Sequence, residues 1–194
     1  MAKGRKMDFI KGVDAYFSTV TATILQIDQT EIDAAMNQLL AAYERGSAIY
    51  CFGNGGSAAT ASHMLNDFNT GISYGLDKKF KVHCLNDNIA TLTALANDIG
   101  YEFIFSKQLE GKLQAGDLIV AISVSGNSSN VIRAVEYAKA CKCGVIGITG
   151  YDGGILRKLA DYHMHVPSHD MQVVEDIHMI FNHMMTKLFC QTLG

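Results

Sequence analysis

Several features are scarce in this chain of 194 residues, and each scarcity excludes a class of protein. The chain contains one proline, Pro167. This suits long helices and an uninterrupted sheet, because proline removes a backbone donor and breaks both kinds of element. Charged residues make up only 18% of the chain, while hydrophobic residues make up 48%. That balance is typical of a globular domain with a full-sized core rather than of a disordered chain.

Further absences concern partners and location. The formal net charge of -3 provides no basic surface, so we expect no nucleic-acid ligand. No apolar run approaches the length of a membrane span, and the N-terminus lacks the apolar core of a signal peptide. The five cysteines are an odd number without the spacing of a disulfide framework. We therefore expect a cytoplasmic protein with reduced thiols and no membrane association.

Strand-like and helix-like segments alternate along most of the chain. Apolar runs predict strands at 48–52, 81–85, 118–122, 144–148 and 162–166. Helical patterns lie between and after them, at 58–68, 89–98, 103–113, 130–140, 155–160 and 172–193. Such alternation predicts an α/β fold, a doubly wound parallel five-stranded sheet flanked by helices.

An N-terminal helical extension precedes the α/β core. Apolar residues at helical spacing predict helices at 7–27 and 30–43. Thr30 is the expected N-cap of the second helix, and Gly46 is its expected end. We expect a single domain, 1–194, with helices over 1–46 and the α/β core over 47–194.

The first predicted strand ends in a glycine-rich turn that leads directly into a helix. Gly53, Gly55 and Gly56 permit positive φ and close approach of a ligand, and Asn54 and Ser57 add side-chain donors. Ser57 can also cap the helix. Free N–H groups at a helix start attract anions, so this turn predicts a phosphate site. An ordinary strand-to-helix turn is the alternative.

A second polar turn follows the third predicted strand, at 123–129. Its hydroxyl groups and flexible backbone come from Ser123, Ser125, Gly126, Asn127, Ser128 and Ser129. Both turns lie at the carboxyl ends of parallel strands, where ligands bind in such sheets. Neither matches the nucleotide P-loop or the dinucleotide fingerprint. The alternative is that these serines only satisfy the turn backbone.

Four titratable residues can share one site. His63 and Asp67 are four residues apart on one predicted helix, and Glu175 and His183 are eight apart on another. Two histidines and two carboxylates can form a first shell for Zn²⁺, or they can supply a general base and a general acid. Purely structural roles are expected for His83, His163, His165 and His169.

Together these residues resemble the sugar isomerase (SIS) domain family and, within it, the phosphoheptose isomerases. The resemblance covers nearly the whole chain. It is carried by segments 53–57 with His63, 96–98, 125–131 and 149–154, and by the last helix with Glu175, His178 and His183.

The resemblance implies conversion of sedoheptulose 7-phosphate to D-glycero-D-manno-heptose 7-phosphate by a homotetramer whose active sites lie between subunits. It implies a catalytic pair, Asp67 and His183, and one Zn²⁺ held by His63, Asp67, Glu175 and His183. Asp67 and His183 can act as acid and base, as metal ligands, or as both. The implied substrate-binding residues are Asn54, Gly55, Gly56, Ser57, Asn97, Asp98, Ser123, Ser125, Ser128 and Glu175.

The chain departs from the family pattern at four positions. Asp67 replaces a glutamate, Glu175 a glutamine, Val124 a threonine, and Gln172 an aspartate. An isomerase or lyase of another phosphosugar is therefore one alternative. Another is a non-catalytic binding protein, like relatives that bind the bacterial replication initiator. Those relatives lack the acidic residue and the distal histidine, which this chain retains.

Overall fold

The protein was analysed as a computed structural model that describes residues 8–194, so Met7 of the first predicted helix lies outside the described residues. Five parallel strands form one sheet in the order β2-β1-β3-β4-β5. The strands are β1 Ile49–Gly53, β2 Val82–Cys84, β3 Leu118–Ser123, β4 Gly144–Thr149 and β5 Tyr162–His165. The predicted parallel sheet is confirmed.

In the described part of the chain, 8–194, eight α-helices surround this sheet. They are α1 Ile10–Ile24, α2 Gln29–Arg45, α3 Gly56–Asn66, α4 Ile89–Asp98, α5 Ser106–Leu109, α6 Ser129–Ala140, α7 Gly154–Leu159 and α8 Met171–Leu193. Apolar residues of α2, α3 and α8 pack on one face of the sheet, and those of α4 to α7 pack on the other. The fold is therefore doubly wound, as predicted.

Two predicted helix caps are wrong. Helix α2 begins at Gln29, because the Asp28 carboxylate accepts a hydrogen bond of 2.8 Å from the backbone N–H of Thr30. Ser57 lies inside α3, whose N-cap is Gly55 at φ +55°. The prediction for the other end of α2 is confirmed, since Gly46 closes it in the left-handed conformation.

Two predicted helices differ from the observed elements. The helix predicted over 58–68 ends at Asn66 and continues as a π-helical turn, Asp67–Ile72. The helix predicted over 103–113 is replaced by a 3₁₀ turn, Tyr101–Phe103, and the short α5. Gly111 has a φ of +72°, so an α-helix cannot continue through it.

Two asparagine side chains take the place of backbone partners beside the sheet. The Asn69 amide donates to the carbonyl of Val82 at 2.8 Å and accepts from its N–H at 2.9 Å. The Asn86 amide makes the same pair of bonds with Gly53, at 2.9 and 3.2 Å. Asn86 therefore fixes the end of β1 where the first glycine turn begins.

The N-terminal helices leave apolar surface uncovered in the single chain. Phe9, Ile10, Val13 and Phe17 are all largely exposed along α1. Helices α1, α2 and α8 also enclose an apolar groove of about 390 Å³.

Among the described residues, no helix combines the length and the apolar character needed to cross a membrane. All five cysteines are free, as predicted.

Candidate active site

The predicted catalytic residues lie on α8 and on the π-helical turn that continues α3, and α3 and α8 lie side by side in the same direction. Gly56 at the start of α3 lies against Glu175 near the start of α8. Further along, His63 contacts His183, and Asp67 accepts a hydrogen bond from Asn182. The predicted meeting of these two helices therefore occurs within one chain.

A cavity of about 460 Å³ opens between the two polar turns. It is lined by Asn54, Gly55, Gly56, Ser57, Ile122, Ser123, Val124, Ser125, Ser128, Tyr151, Met171 and Glu175. The cavity lies at the carboxyl ends of β1 and β3 and at the N-terminus of α3, where backbone N–H groups favour an anion. Seven predicted substrate-binding residues of the two turns line it together, as does Glu175.

The second turn is shaped by its own hydrogen bonds. The Ser123 hydroxyl lies 3.3 Å from that of Ser128 and accepts the N–H of Gly126 at 3.2 Å. Gly126 has a φ of +63°, and a side chain there would collide with the backbone of Gly153. Gly126 therefore lets the turn after β3 pack closely against the turn after β4.

The Asn54 side chain joins the first turn to two other elements. Its amide exchanges two hydrogen bonds of 2.9 Å with the amide of Asn130, and it accepts a third from the Tyr101 hydroxyl at 2.9 Å. Asn54 therefore fixes the shape of the cavity as well as lining it.

His63, Asp67 and His183 form one cluster beside this cavity. The Nε2 atoms of His63 and His183 are 3.2 Å apart, and His63 Nε2 lies 3.3 Å from Asp67 Oδ2. One ligand atom from each residue falls within 4.8 Å of the others. The three side chains are exposed or half-buried, so a substrate can reach them.

The donor set of this cluster fits a catalytic zinc ion. Ligand atoms of a tetrahedral zinc lie roughly 3.3–3.4 Å apart, given metal–ligand distances of about 2.0–2.1 Å. Two of the observed separations, 3.2 and 3.3 Å, match that spacing, and all three donor atoms lie within 4.8 Å of one another. Two imidazoles and one carboxylate would also leave the fourth position open, as in catalytic zinc sites.

Glu175 lies outside this cluster in the single chain, and its role as a fourth ligand stays a prediction. Its carboxylate lies beside Gly56, so close that a side chain at position 56 would collide with it. Eight residues separate Glu175 from His183, which is about 12 Å of helix rise. In the single chain the Glu175 carboxylate therefore lies away from the three clustered side chains.

Comparison with known proteins agrees with this geometry. Residues 15–150 match the SIS domain family. The chain belongs to the SIS domain family. A phosphoheptose isomerase from Aliarcobacter butzleri is 34% identical over 189 residues, which cover 97% of this chain and 99% of that relative.

Other members of the SIS family extend the comparison. A phosphoheptose isomerase from Helicobacter hepaticus is 37% identical over 163 residues, which cover 84% of this chain and 83% of the relative. The solved structure of a phosphoheptose isomerase from Neisseria gonorrhoeae aligns with a TM-score of 0.87 at 29% identity, covering 95% of this chain and 100% of that chain. These matches confirm both the SIS fold and the resemblance to the phosphoheptose isomerases.

Asn97 and Asp98 lie apart from the cavity of this SIS chain. Both are exposed at the C-terminal end of α4, where the Asn97 amide donates to the Asp98 carboxylate at 2.8 Å. Neither lines the cavity between the two turns. Their role in substrate binding stays a prediction.

Sequence reasoning missed several residues of the site. Tyr151, in the left-handed conformation at φ 52°, and Met171 both line the cavity. Asn182 lies seven residues after Glu175 and bonds to Asp67. That spacing places Asn182 on the same face of α8 as Glu175, which is a signal that the sequence contained.

His178 lies on α8 behind the cavity and is buried. Its Nε2 donates a hydrogen bond of 3.2 Å to the carbonyl oxygen of Thr149. Burial lowers the pKa of His178 to about 4, so the side chain is neutral at pH 7. This residue is therefore a structural support for α8 rather than a proton donor.

Proposed function

We propose that this chain is an aldose–ketose isomerase, an intramolecular oxidoreductase that converts sedoheptulose 7-phosphate to D-glycero-D-manno-heptose 7-phosphate. The observation that carries the proposal is the contact of His63, Asp67 and His183 on helices that also form the anion cavity. The proposal is supported by a curated phosphoheptose isomerase that is 34% identical over 97% of the chain.

The two polar turns are proposed to bind the phosphate group. Ser57, Ser123, Ser125 and Ser128 supply hydroxyl groups, and the start of α3 supplies backbone N–H groups and the positive end of its dipole. Fixing the phosphate holds the opposite end of the sugar at the catalytic cluster. Glu175, on the cavity wall, is placed to accept hydrogen bonds from sugar hydroxyls.

Asp67 and His183 are proposed to move the protons. One of them removes the proton from C1 of the ketose, which bears the hydroxyl group next to the carbonyl at C2. The carbonyl oxygen at C2 takes up a proton and the O1 hydroxyl loses one. Protonation of the enediolate at C2 then leaves an aldehyde at C1 and a hydroxyl group at C2. Positioned acid–base groups of this kind accelerate such steps by about 10²–10⁴-fold.

One Zn²⁺ per active site is proposed to be held by His63, Asp67 and His183. Bound there, it would stabilise the negative charge that develops on the sugar oxygens. The support for this proposal is that one donor atom from each of the three residues lies within 4.8 Å of the others.

Assembly and location complete the proposal. Residues 1–194 are proposed to form a single SIS domain that assembles as a cytoplasmic homotetramer. The exposed apolar side chains of α1 and the groove beside α8 support contacts between copies. In the assembly, a neighbouring subunit is proposed to complete each active site.

The deciding experiment is turnover of sedoheptulose 7-phosphate by the purified protein, followed by NMR with and without added Zn²⁺. We expect the signals of an aldose heptose 7-phosphate, and their loss after chelation would support the zinc proposal. A panel of other phosphosugars serves as the comparison. Conversion of a different sugar would replace the heptose substrate, and no conversion of any sugar would favour a binding protein.

A further inference from the structure

Asn182 is a polar residue in an otherwise apolar part of α8. It is only 1% exposed. The nearby residues Phe181 and Met185 on the same helix are buried hydrophobic residues. Its amide nitrogen donates a hydrogen bond of 2.7 Å to Oδ2 of Asp67. The one polar contact of this side chain is therefore with the proposed catalytic carboxylate.

The hydrogen bond reaches the oxygen of Asp67 that faces the histidines. That Oδ2 atom is 3.3 Å from Nε2 of His63 and 3.4 Å from the Thr186 hydroxyl. Asn182 is the closest of the three partners. The amide therefore fixes the oxygen that completes the cluster, and it does so from the buried side.

The position is costly for stability, which favours a role in function. Within the described part of the chain, the Asn182 Oδ1 atom is buried without a hydrogen-bond partner. Leaving such an atom unpaired destabilises the folded state, and an apolar residue of the same shape would avoid that loss. A residue that served only packing would be better as leucine.

The backbone conformation at Asp67 and the short side chain of Asp67 also support a positioning role for Asn182. Asp67 is the first residue of the π-helical turn, where the helix widens. Its carboxylate stands on a single methylene group, so it has few ways to reach a given point. An anchor on the neighbouring helix compensates for that short reach.

We infer that Asn182 is a positioning residue that holds the Asp67 carboxylate beside His63 and His183. This inference rests on the proposed function, because it gives Asp67 a part in that reaction. Groups that orient metal ligands or catalytic carboxylates in this way typically contribute about 10–100-fold in metal affinity or activity.

The test compares the full-length wild type with Asn182→Leu. Zn²⁺ affinity is measured by competition with a chromophoric chelator, and kcat and KM are measured with sedoheptulose 7-phosphate. We expect Asn182→Leu to weaken Zn²⁺ binding or lower kcat by about 10–100-fold. KM should change less than kcat, because Asn182 does not line the phosphate cavity. Asn182→Ala repeats the test with a smaller side chain.

Gln108→Leu is the matched control for loss of a buried amide. The Gln108 amide donates to two backbone carbonyls, of Leu85 and Ile104, on the opposite face of the sheet. It should lower the melting temperature and leave Zn²⁺ affinity and kcat unchanged.

A second comparison repeats Asn182→Leu in the Asp67→Glu background. The glutamate carboxylate would reach further from the backbone than that of Asp67, so its position should not depend on the Asn182 amide. In this background, Asn182→Leu should therefore lower kcat and Zn²⁺ affinity by less than about 3-fold. Coupling between the two positions distinguishes positioning from a general effect on folding.

The outcomes separate the inference from the proposed function. An active wild type whose kcat and Zn²⁺ affinity survive Asn182→Leu would overturn the inference alone. A wild type whose Zn²⁺ affinity falls in Asn182→Leu, but which converts no heptose phosphate, would overturn the proposed substrate alone. A wild type with neither turnover nor Zn²⁺ binding would overturn both.

Discussion

At the scale of single residues, His183 has the most direct test. Its Nε2 atom lies 3.2 Å from that of His63 in the cluster. We expect His183→Ala to lower kcat by about 10²–10⁴-fold while the oligomer stays intact, because it removes a proton-transfer group and a metal ligand. Steady-state kinetics and size-exclusion chromatography measure the two properties.

His83→Ala is the control for this variant. His83 is exposed on β2 and stacks on Tyr50, away from the cluster. Full activity of His183→Ala, with His83→Ala also active, would remove the cluster from the mechanism.

Because His178 is buried, we expect the free energy of unfolding to decrease at acidic pH. Its pKa is about 4 in the folded protein, below the ordinary value of 6.5, because the ring is buried. The unfolded chain therefore takes up the proton first. The stabilisation is complete above pH 6.5 and is lost as the pH falls from 6.5 to 4, by roughly 3 kcal/mol in total. Burial lowers the pKa of His163 and His165 too, which adds to this effect.

Urea unfolding at pH 7.0, 5.5 and 4.5, at one protein concentration, measures the acid effect. His178→Gln keeps a donor for the Thr149 carbonyl but cannot take up the proton. The free energy of unfolding should fall less steeply with acid in this variant than in the wild type. Equal slopes would contradict the assignment to His178.

Individual residues were predictable where chemistry and spacing agree. His63, Asp67 and His183 followed from charge and helical spacing, and the structure brings them together. Asn182 was missed because an asparagine on an apolar helix has no chemistry of its own. Its meaning comes from Asp67, which is 115 residues away in sequence.

At the scale of elements, the start of α8 can be tested through its cap. The Asp170 carboxylate accepts the backbone N–H groups of Gln172 and Val173 at 3.0 and 3.2 Å. Asp170→Ala should lower the free energy of unfolding by about 1 kcal/mol, since two donors lose their partner. Urea unfolding at a fixed protein concentration measures this loss.

Asp170→Asn is the matched variant, because asparagine caps helices about as well as aspartate. It should retain most of the stability. Equal losses in the two variants would mean that the charge of Asp170, rather than the cap, stabilises α8.

Element boundaries were predictable where local residues decide them. Helix α4 has the predicted bounds, and Gly46 ends α2 as expected. The prediction of one helix over 103–113 was wrong. Apolar residues of this segment are buried, but a 3₁₀ turn and a short helix position them. Apolar spacing reports which side chains are buried and does not report how the backbone turns between them.

At the scale of the whole molecule, the exposed apolar side chains of α1 predict that copies of the chain assemble through this helix. Phe17 is 64% exposed in the single chain and lies in line with Phe9, Ile10 and Val13. If this surface joins subunits, Phe17→Glu should reduce the particle from four chains to fewer, because it would bury an unpaired charge. Light scattering coupled to size-exclusion chromatography gives the mass.

Tyr74→Glu is the control for a charge at an exposed aromatic position. Tyr74 is 87% exposed and lies just after the π-helical turn, away from α1. It should leave the mass unchanged. A four-chain particle in Phe17→Glu would place the subunit contacts elsewhere.

The overall architecture was the most predictable feature. Alternation of strands and helices requires crossover connections, which make the strands parallel, and the two polar turns then fall at one sheet edge. The sequence predicted that His63 and His183 share a site, but it did not predict that Asn182 would contact Asp67. That depends on how α3 and α8 are offset along each other, which no local pattern encodes.

The side-chain amide of Asn69 has a consequence for how copies of the chain can associate. β2 is the outermost strand of the sheet, and it has a strand on one side only. Exposed strand edges invite pairing with other chains and can start aggregation. Asn69 already occupies the N–H and the carbonyl of Val82. The sheet is therefore closed to an incoming strand at this edge, which leaves association between copies to the helices.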